Sequence, residues 1–265
     1  MFAEIFITAL TAVSIYMLGF WVLSLALKDV SIVDIGWGLG FVVVAWTVHL
    51  TSESNDARAT LQLILVTIWG TRLGIYLLVR NWGRPEDYRY AAMRRRVGPS
   101  YTWKSIYMVF GLQGALTLVV SLPVQAVQGT LTSTPLGVLD AVAVAMVIVG
   151  FFFEAVGDQQ LTKFKADPAN DGRVMDQGVW AWTRHPNYFG DALQWWGFGV
   201  LAISVPGAAW TLLGPAVMTF LLLRISGVHL LERGLRKRKP DYEAYAARTP
   251  AFIPRPPRTT SNQPQ

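Results

Sequence analysis

Cysteine is absent from the 265 residues, which excludes disulfides, iron–sulfur clusters, thiolate zinc sites and any cysteine nucleophile together. Histidine is scarce. His49, His185 and His229 are the only three, and none stands at a ligand spacing such as HExxH, so no metal site is expected. Charge is sparse as well: 15% of residues are charged and 52% are hydrophobic, where a soluble domain would carry nearer a quarter charged. Neither a GxGxxG nor a P-loop occurs, so a Rossmann or P-loop nucleotide domain is not expected. These shortages point to a membrane.

What is present is a succession of apolar stretches of spanning length, over 2–27, 32–50, 61–79, 106–127, 136–156, 188–205 and 208–223. The expected fold is all-α, a polytopic membrane bundle of about seven helices. The first stretch has no basic region before it and is followed by Lys28-Asp29 rather than a small-residue cleavage site, so it reads as a retained helix and not a signal peptide. The sixth is broken by Gly190, Gly197, Gly199 and Pro206 and contains Asp191, the marks of a partly re-entrant segment. A single membrane domain over 1–258 and a disordered polar tail over 259–265 complete the organisation.

The formal charge of +6 could suggest nucleic acid, but its placement says otherwise. Of the 23 lysines and arginines, 21 fall on one side of the spans; Arg58 is in an opposite loop and Arg72 is within the third span. The positive-inside rule then puts the N-terminus outside and the C-terminus in the cytoplasm of a cell (inner) membrane, and no nucleic-acid partner is expected.

Three polar clusters lie on the expected cytoplasmic face: Arg80 to Asp87; Glu154 to Asp191; and Arg224 to Pro254. The run Arg236-Lys237-Arg238-Lys239 reads as a patch solvated at the lipid surface. Glu154, Asp158, Asn187 and Asp191 are different, because they sit at or within the ends of apolar spans, where such groups are costly without a partner or a polar cavity. Together the clusters offer cations for phosphates, carboxylates for ribose hydroxyls and aromatic rings for a flat base, the needs of a large anionic cofactor held between helices.

The segment Gly178-Val179-Trp180-Ala181-Trp182-Thr183-Arg184-His185-Pro186-Asn187-Tyr188-Phe189-Gly190-Asp191 resembles the shared signature of the membrane steroid 5-alpha-reductase-like family and of the sterol C14 and C7 reductases. Isoprenylcysteine and phospholipid methyltransferases carry a similar Arg-His-Pro-x-Tyr-x-Gly segment, so the signature marks a superfamily. Asn81 and Arg84, in an Asn-x-Gly-Arg-Pro stretch, look like the reductase segment whose asparagine and arginine contact the nicotinamide cofactor. Asp158, Lys165 and Arg173 repeat the acid-then-base spacing of that family, with Lys165 where an arginine is usual.

The resemblance implies an NADPH-dependent reductase of the conjugated C=C bond of a lipophilic enone that enters from the bilayer. Asn187 and Asp191 would then bind the nicotinamide carboxamide and ribose, with Arg184, His185 and Tyr188 beside them. Glu232 would hold an adenosine-side hydroxyl, and Tyr245 would pack near the adenine phosphate. The tyrosine that polarises the substrate ketone in steroid-reducing members falls here near Trp69-Gly70, so Tyr76 or Tyr16, with the membrane-embedded carboxyl of Asp34, stands as the substitute catalytic pair. Two alternatives remain at this point: an S-adenosylmethionine-dependent lipid or isoprenoid methyltransferase, and a non-catalytic lipid-binding membrane protein.

Overall fold

The structure, a computed structural model, describes residues 2–52, 54, 56–131, 134–225 and 228–257, apart from the side chains of 229, 230 and 237. The expected polar tail over 259–265 lies outside them. Among the described residues all regular structure is helical.

Three long helices open the chain: α1 (Phe2–Leu27), α2 (Ile32–Ser52) and α3 (Ala57–Asn81). A broken helical run follows, made of α4 (Tyr88–Val97), a 3₁₀ turn, α5 (Tyr101–Ser105), a π-helical stretch over Ile106–Gly111, α6 (Leu112–Val120) and the short α7 (Leu122–Gln128). After it come α8 (Val138–Ala166), α9 (Pro186–Ile203), α10 (Leu213–Phe220), α11 (Val228–Arg238) and α12 (Tyr242–Arg248).

Among the described residues, five stretches are long and apolar enough to cross a membrane: Phe2–Leu27, Ile32–Ser52, Ala57–Asn81, Tyr88–Val120 and Val138–Ala166. They carry exposed Ile15, Ile75, Val138 and Phe152, which lipid accommodates and water would not. The chain has the build of an integral multi-pass membrane protein. The sixth and seventh expected spans are helical but shorter than those five, as the 18-residue α9 and the apolar stretch Ala209–Ile225.

Two compact units divide the chain, the first comprising Met1–Ala141 and Phe198–Gly214, the second Val142–Gly197 and Pro215–Gln265. In the first, α2 and α3 meet backbone to backbone: a Cβ added at Gly70 would stand 2.5 Å from the Gly38 carbonyl oxygen, so only glycine permits that approach. Ala9, Val13, Met17 and Trp21 of α1 bury one stripe among Val44, Val48, Val109, Phe110 and Leu118.

The fourth expected span runs over 106–127, but its α-helix breaks at Ser121. Pro123 has no N–H to give the Val119 carbonyl, and the chain restarts as α7. The Leu118 carbonyl is repaired by side chains, accepting from Gln125 Nε2 at 2.8 Å and from Ser121 Oγ at 3.2 Å.

In the second unit the packing of α8 on α9 is again set by glycine. A Cβ on Gly190 would stand 2.4 Å from the Gly150 carbonyl oxygen and 2.5 Å from the Glu154 nitrogen. One turn away, Gln194 Nε2 donates to Glu154 Oε2 at 2.6 Å, which gives the buried carboxylate a partner. Helix α8 runs ten residues past the expected end of the fifth span at 156, so Asp158 and Lys165 lie on the same helix as the apolar span.

Candidate functional site

The polar end of the second unit is assembled where α8 ends and α9 begins. Pro186 occupies the first position of α9, where its missing N–H costs nothing, and it places Asn187, Tyr188 and Asp191 in the first turns. Asn187 Nδ2 donates to Asp158 Oδ1 at 3.1 Å, while Asn187 Oδ1 accepts from the Tyr188 N–H at 3.0 Å. Asp158 is 4% exposed, so the pair is a carboxylate and an amide held together at the end of an apolar helix. Trp180 Nε1 donates to the Gly157 carbonyl at 3.0 Å and the Val179 N–H to Gln160 Oε1 at 3.1 Å. These bonds seat the Gly178–Ala181 turn on α8.

Arg184 is turned inward. Its Nε donates to Glu232 Oε1 at 2.8 Å and its Nη1 to the Ala246 and Thr249 carbonyls at 2.9 and 2.6 Å, with Nη2 2.7 Å from Glu232 Oε1. The same carboxylate oxygen faces His185 Nε2 at 3.3 Å, and the His185 ring stacks on Tyr188 with centroids 5.6 Å apart. Burial would raise the Glu232 carboxyl, but the hydrogen bonds and charge of His185 and Arg184 outweigh it and bring it down to about 2. Tyr245 is buried and donates to the Trp180 carbonyl at 2.6 Å, and burial pushes its phenol up. Lys165 and Arg173 are exposed, and the Arg173 carbonyl accepts from Lys239 Nζ.

In the first unit, Asp34 stands in the first turn of α2. Its Oδ2 accepts from Arg89 Nη2 at 2.6 Å and its Oδ1 from the Tyr90 hydroxyl at 2.7 Å. Beside it Glu86 Oε1 accepts from the Val30 N–H at 2.9 Å, and the carboxylate takes both arms of the Arg94 fork, at 2.7 and 3.0 Å. Burial alone would raise Glu86; the Arg94 guanidinium and the Val30 N–H outweigh it and hold the carboxyl below its usual range. The Tyr76 ring lies between Arg72 and Arg80, whose guanidinium carbons are 5.1 and 5.7 Å from its centroid. Asn81 Oδ1 accepts from Arg80 Nε at 3.2 Å, and Arg84 is exposed.

A groove of about 570 Å³ runs between α1 and α2, lined by Ile7, Thr11, Ile15, Tyr16, Val43 and Thr47 among others. Tyr16 closes it, donating to the Gly36 carbonyl at 2.8 Å. It occupies the half of these helices away from Asp34.

The structure thus brings together Asp158 with Asn187, and Arg184 with His185, Tyr188 and Glu232; it pairs Tyr245 with Trp180, and leaves Lys165, Arg173 and Arg84 exposed. Sequence reasoning missed the partners of Asp34. Arg89 and Tyr90 are 55 and 56 residues away and belong to a short helix that no apolar period announces. The one local signal is Asp87, which caps α4 through the Arg89 N–H at 2.9 Å.

An all-helical, multi-pass membrane protein with a polar constellation at its helix ends is the class that this geometry defines. Residues 20–249 match the family described as "Protein of unknown function (DUF1295)", and the chain belongs to that family. It is also 25% identical to an uncharacterized protein of Schizosaccharomyces pombe over 271 residues, an alignment covering 89% of this chain and 75% of the relative. No solved structure matches the chain.

Proposed function

We propose that the chain is a membrane reductase of about seven spans, N-terminus outside and C-terminus cytoplasmic, that uses NADPH to saturate the conjugated C=C bond of a lipophilic enone. The observation that carries the reading is the Asp158–Asn187 pair at the start of α9, with Asp191 one turn on and exposed Lys165 and Arg173 at the same end of the unit. Ionisable and amide side chains at apolar helix ends are costly without a partner or a polar cavity, and in membrane proteins they mark functional sites.

The donor set fits the cofactor. Beyond its two bonds Asn187 keeps one N–H and one lone pair, suited to a carboxamide. Asp191 suits ribose hydroxyls, and Lys165 and Arg173 suit phosphates. The resemblance adds Asn81 and Arg84 to the residues that would hold it. Bound NADPH supplies a hydride to the carbon β to the carbonyl. The chain must then offer a hydrogen-bond donor to the enolate oxygen and a proton to the α carbon. Neither tyrosine near the expected pair offers that donor as it stands: the single Tyr90 O–H is given to Asp34, so a substrate oxygen must displace Asp34 to take it, and the Tyr76 ring is held by two arginines. One aimed donor in a dry site is worth about 3 kcal/mol of barrier. The apolar groove between α1 and α2 supports a substrate that arrives from lipid.

A second reading, an S-adenosylmethionine-dependent methyltransferase, is favoured by one observation. The Arg184 guanidinium is taken up by Glu232 and two carbonyls, which leaves fewer cations for phosphates than the sequence suggests. Thermal stabilisation of the purified protein separates the two. The reductase reading expects a midpoint raised by NADPH, abolished in Asn187→Ala, and loss of NADPH absorbance with enone lipids. Stabilisation by S-adenosylmethionine with none by NADPH would refute it.

A further inference from the structure

We infer that residues 242–255 are a clasp that fixes the 173–185 segment, with Arg184 and Glu232 as positioning residues that hold Asn187 in place without touching a cofactor. The proposal deepens the reductase reading and rests on it only for what Asn187 contacts. The clasp is a series of ties between two segments. The Thr183 hydroxyl donates to the Phe252 carbonyl at 2.8 Å, the Arg184 N–H to the Pro250 carbonyl and the Arg255 N–H to the Trp182 carbonyl, each at 2.9 Å. Tyr245 closes on the Trp180 carbonyl, and Arg248 pairs with Asp176 at the surface.

Arg184 is the centre of this array. A guanidinium has five N–H donors, and here all three nitrogens point at protein acceptors. Two of those acceptors, the Ala246 and Thr249 carbonyls, are at the C-terminal end of α12, where helix carbonyls lack intrahelical partners and a cation is favourable. Glu232 supplies the countercharge from α11. For Arg184 to grip a phosphate it would have to leave these partners, and Glu232 would lose its shortest ion pair beside a second anion, keeping the longer contacts with His185 and Arg236. A side chain so placed builds the loop that leads through Pro186 into α9, and so sets where Asn187 and its Asp158 partner stand.

The test is hydrogen exchange of the 176–185 amides in the full-length protein without cofactor, alongside NADPH affinity. Glu232→Gln, Arg184→Lys and Arg184→Gln are each expected to speed loop exchange at least about tenfold and to weaken NADPH by about tenfold. Lysine should fare no better than glutamine, because it keeps the charge and loses the fork. Thr183→Val, which removes one tie and no charge, gives a smaller change of the same kind and serves where the charged variants do not fold. Unchanged loop exchange in Arg184→Gln, with NADPH lost there and kept in Arg184→Lys, would make Arg184 a phosphate contact and overturn the clasp. If the native protein ignores NADPH, the reductase reading falls while loop exchange still decides the clasp.

Discussion

Arg58, expected in a loop, lies in the first turn of α3, at an end of the expected spans that holds almost no other cation, yet it is 2% exposed. Its neutralisation explains how. Nε and Nη2 donate to Asp140 at 2.6 and 3.0 Å, Nη1 to Thr134 at 2.9 Å, and Asp56, which caps α3, lies 3.9 Å away. Removing one member strands a buried charge, so Arg58→Ala or Asp140→Ala is expected to cost about 3–5 kcal/mol, and an apolar pair at both positions much less. Thermal unfolding in a fixed detergent checks this; single variants as stable as the native chain would contradict it. Glu232 is the acid-sensitive counterpart. Its carboxyl is depressed to about 2 in the folded protein from about 4.3 when unfolded. The stability it contributes is therefore fully present above the unfolded value and is lost as the pH falls towards 2. Glu232→Gln should flatten the fall in thermal midpoint between those limits, and an identical fall in the variant would place the acid sensitivity elsewhere. Neither partnership was legible in the sequence. Arg58 and Asp140 are 82 residues apart, Arg184 and Glu232 48, and only tertiary packing joins them.

Among the elements, what the sequence showed well was where apolar helices run, because twenty apolar residues in a row have few other solutions. The stretch 2–27 coincides with α1. Less legible were the breaks. Pro123 marks the end of α6, but its repair by Gln125 and Ser121 depends on side chains reaching back one and two turns. Nor does a sequence say which of its glycines face a neighbour. Gly190 does, and Gly19 has nothing within 4 Å of an added Cβ. Gly190→Ala should therefore force α8 and α9 apart at a cost of about 1–3 kcal/mol and displace Asn187 one turn away. Gly19→Ala should be neutral or stabilise by up to about 1 kcal/mol, since a helical glycine gains from a methyl group. Parallel thermal melts of the two variants decide, and equal destabilisation would mean that close approach is not what fixes glycine at 190.

At the scale of the whole chain, the distribution of charge predicts sidedness, and the absence of cysteine makes that prediction easy to read. With 21 of 23 basic residues on one side of the seven expected spans, the proposed orientation puts the loop before α8 outside and the loop after it inside. Leu136 and Ala169 are exposed in those loops, and Pro206 is exposed between α9 and α10. Each can be replaced by the chain's single cysteine and challenged in intact cells with a membrane-impermeant maleimide. Leu136→Cys should label at once and Ala169→Cys only after permeabilisation. The reverse pattern would invert the protein and take the proposed cofactor end away from cytoplasmic NADPH. Pro206→Cys then decides the count of spans. Labelling from outside means that α9 crosses the membrane despite Asp191, because the Gly150–Gly190 seam lets α8 shield its polar start. Labelling only from inside means that α9 turns back, that fewer than seven helices span, and that Asn187 and Asp191 belong to a re-entrant segment rather than to the mouth of a transmembrane helix.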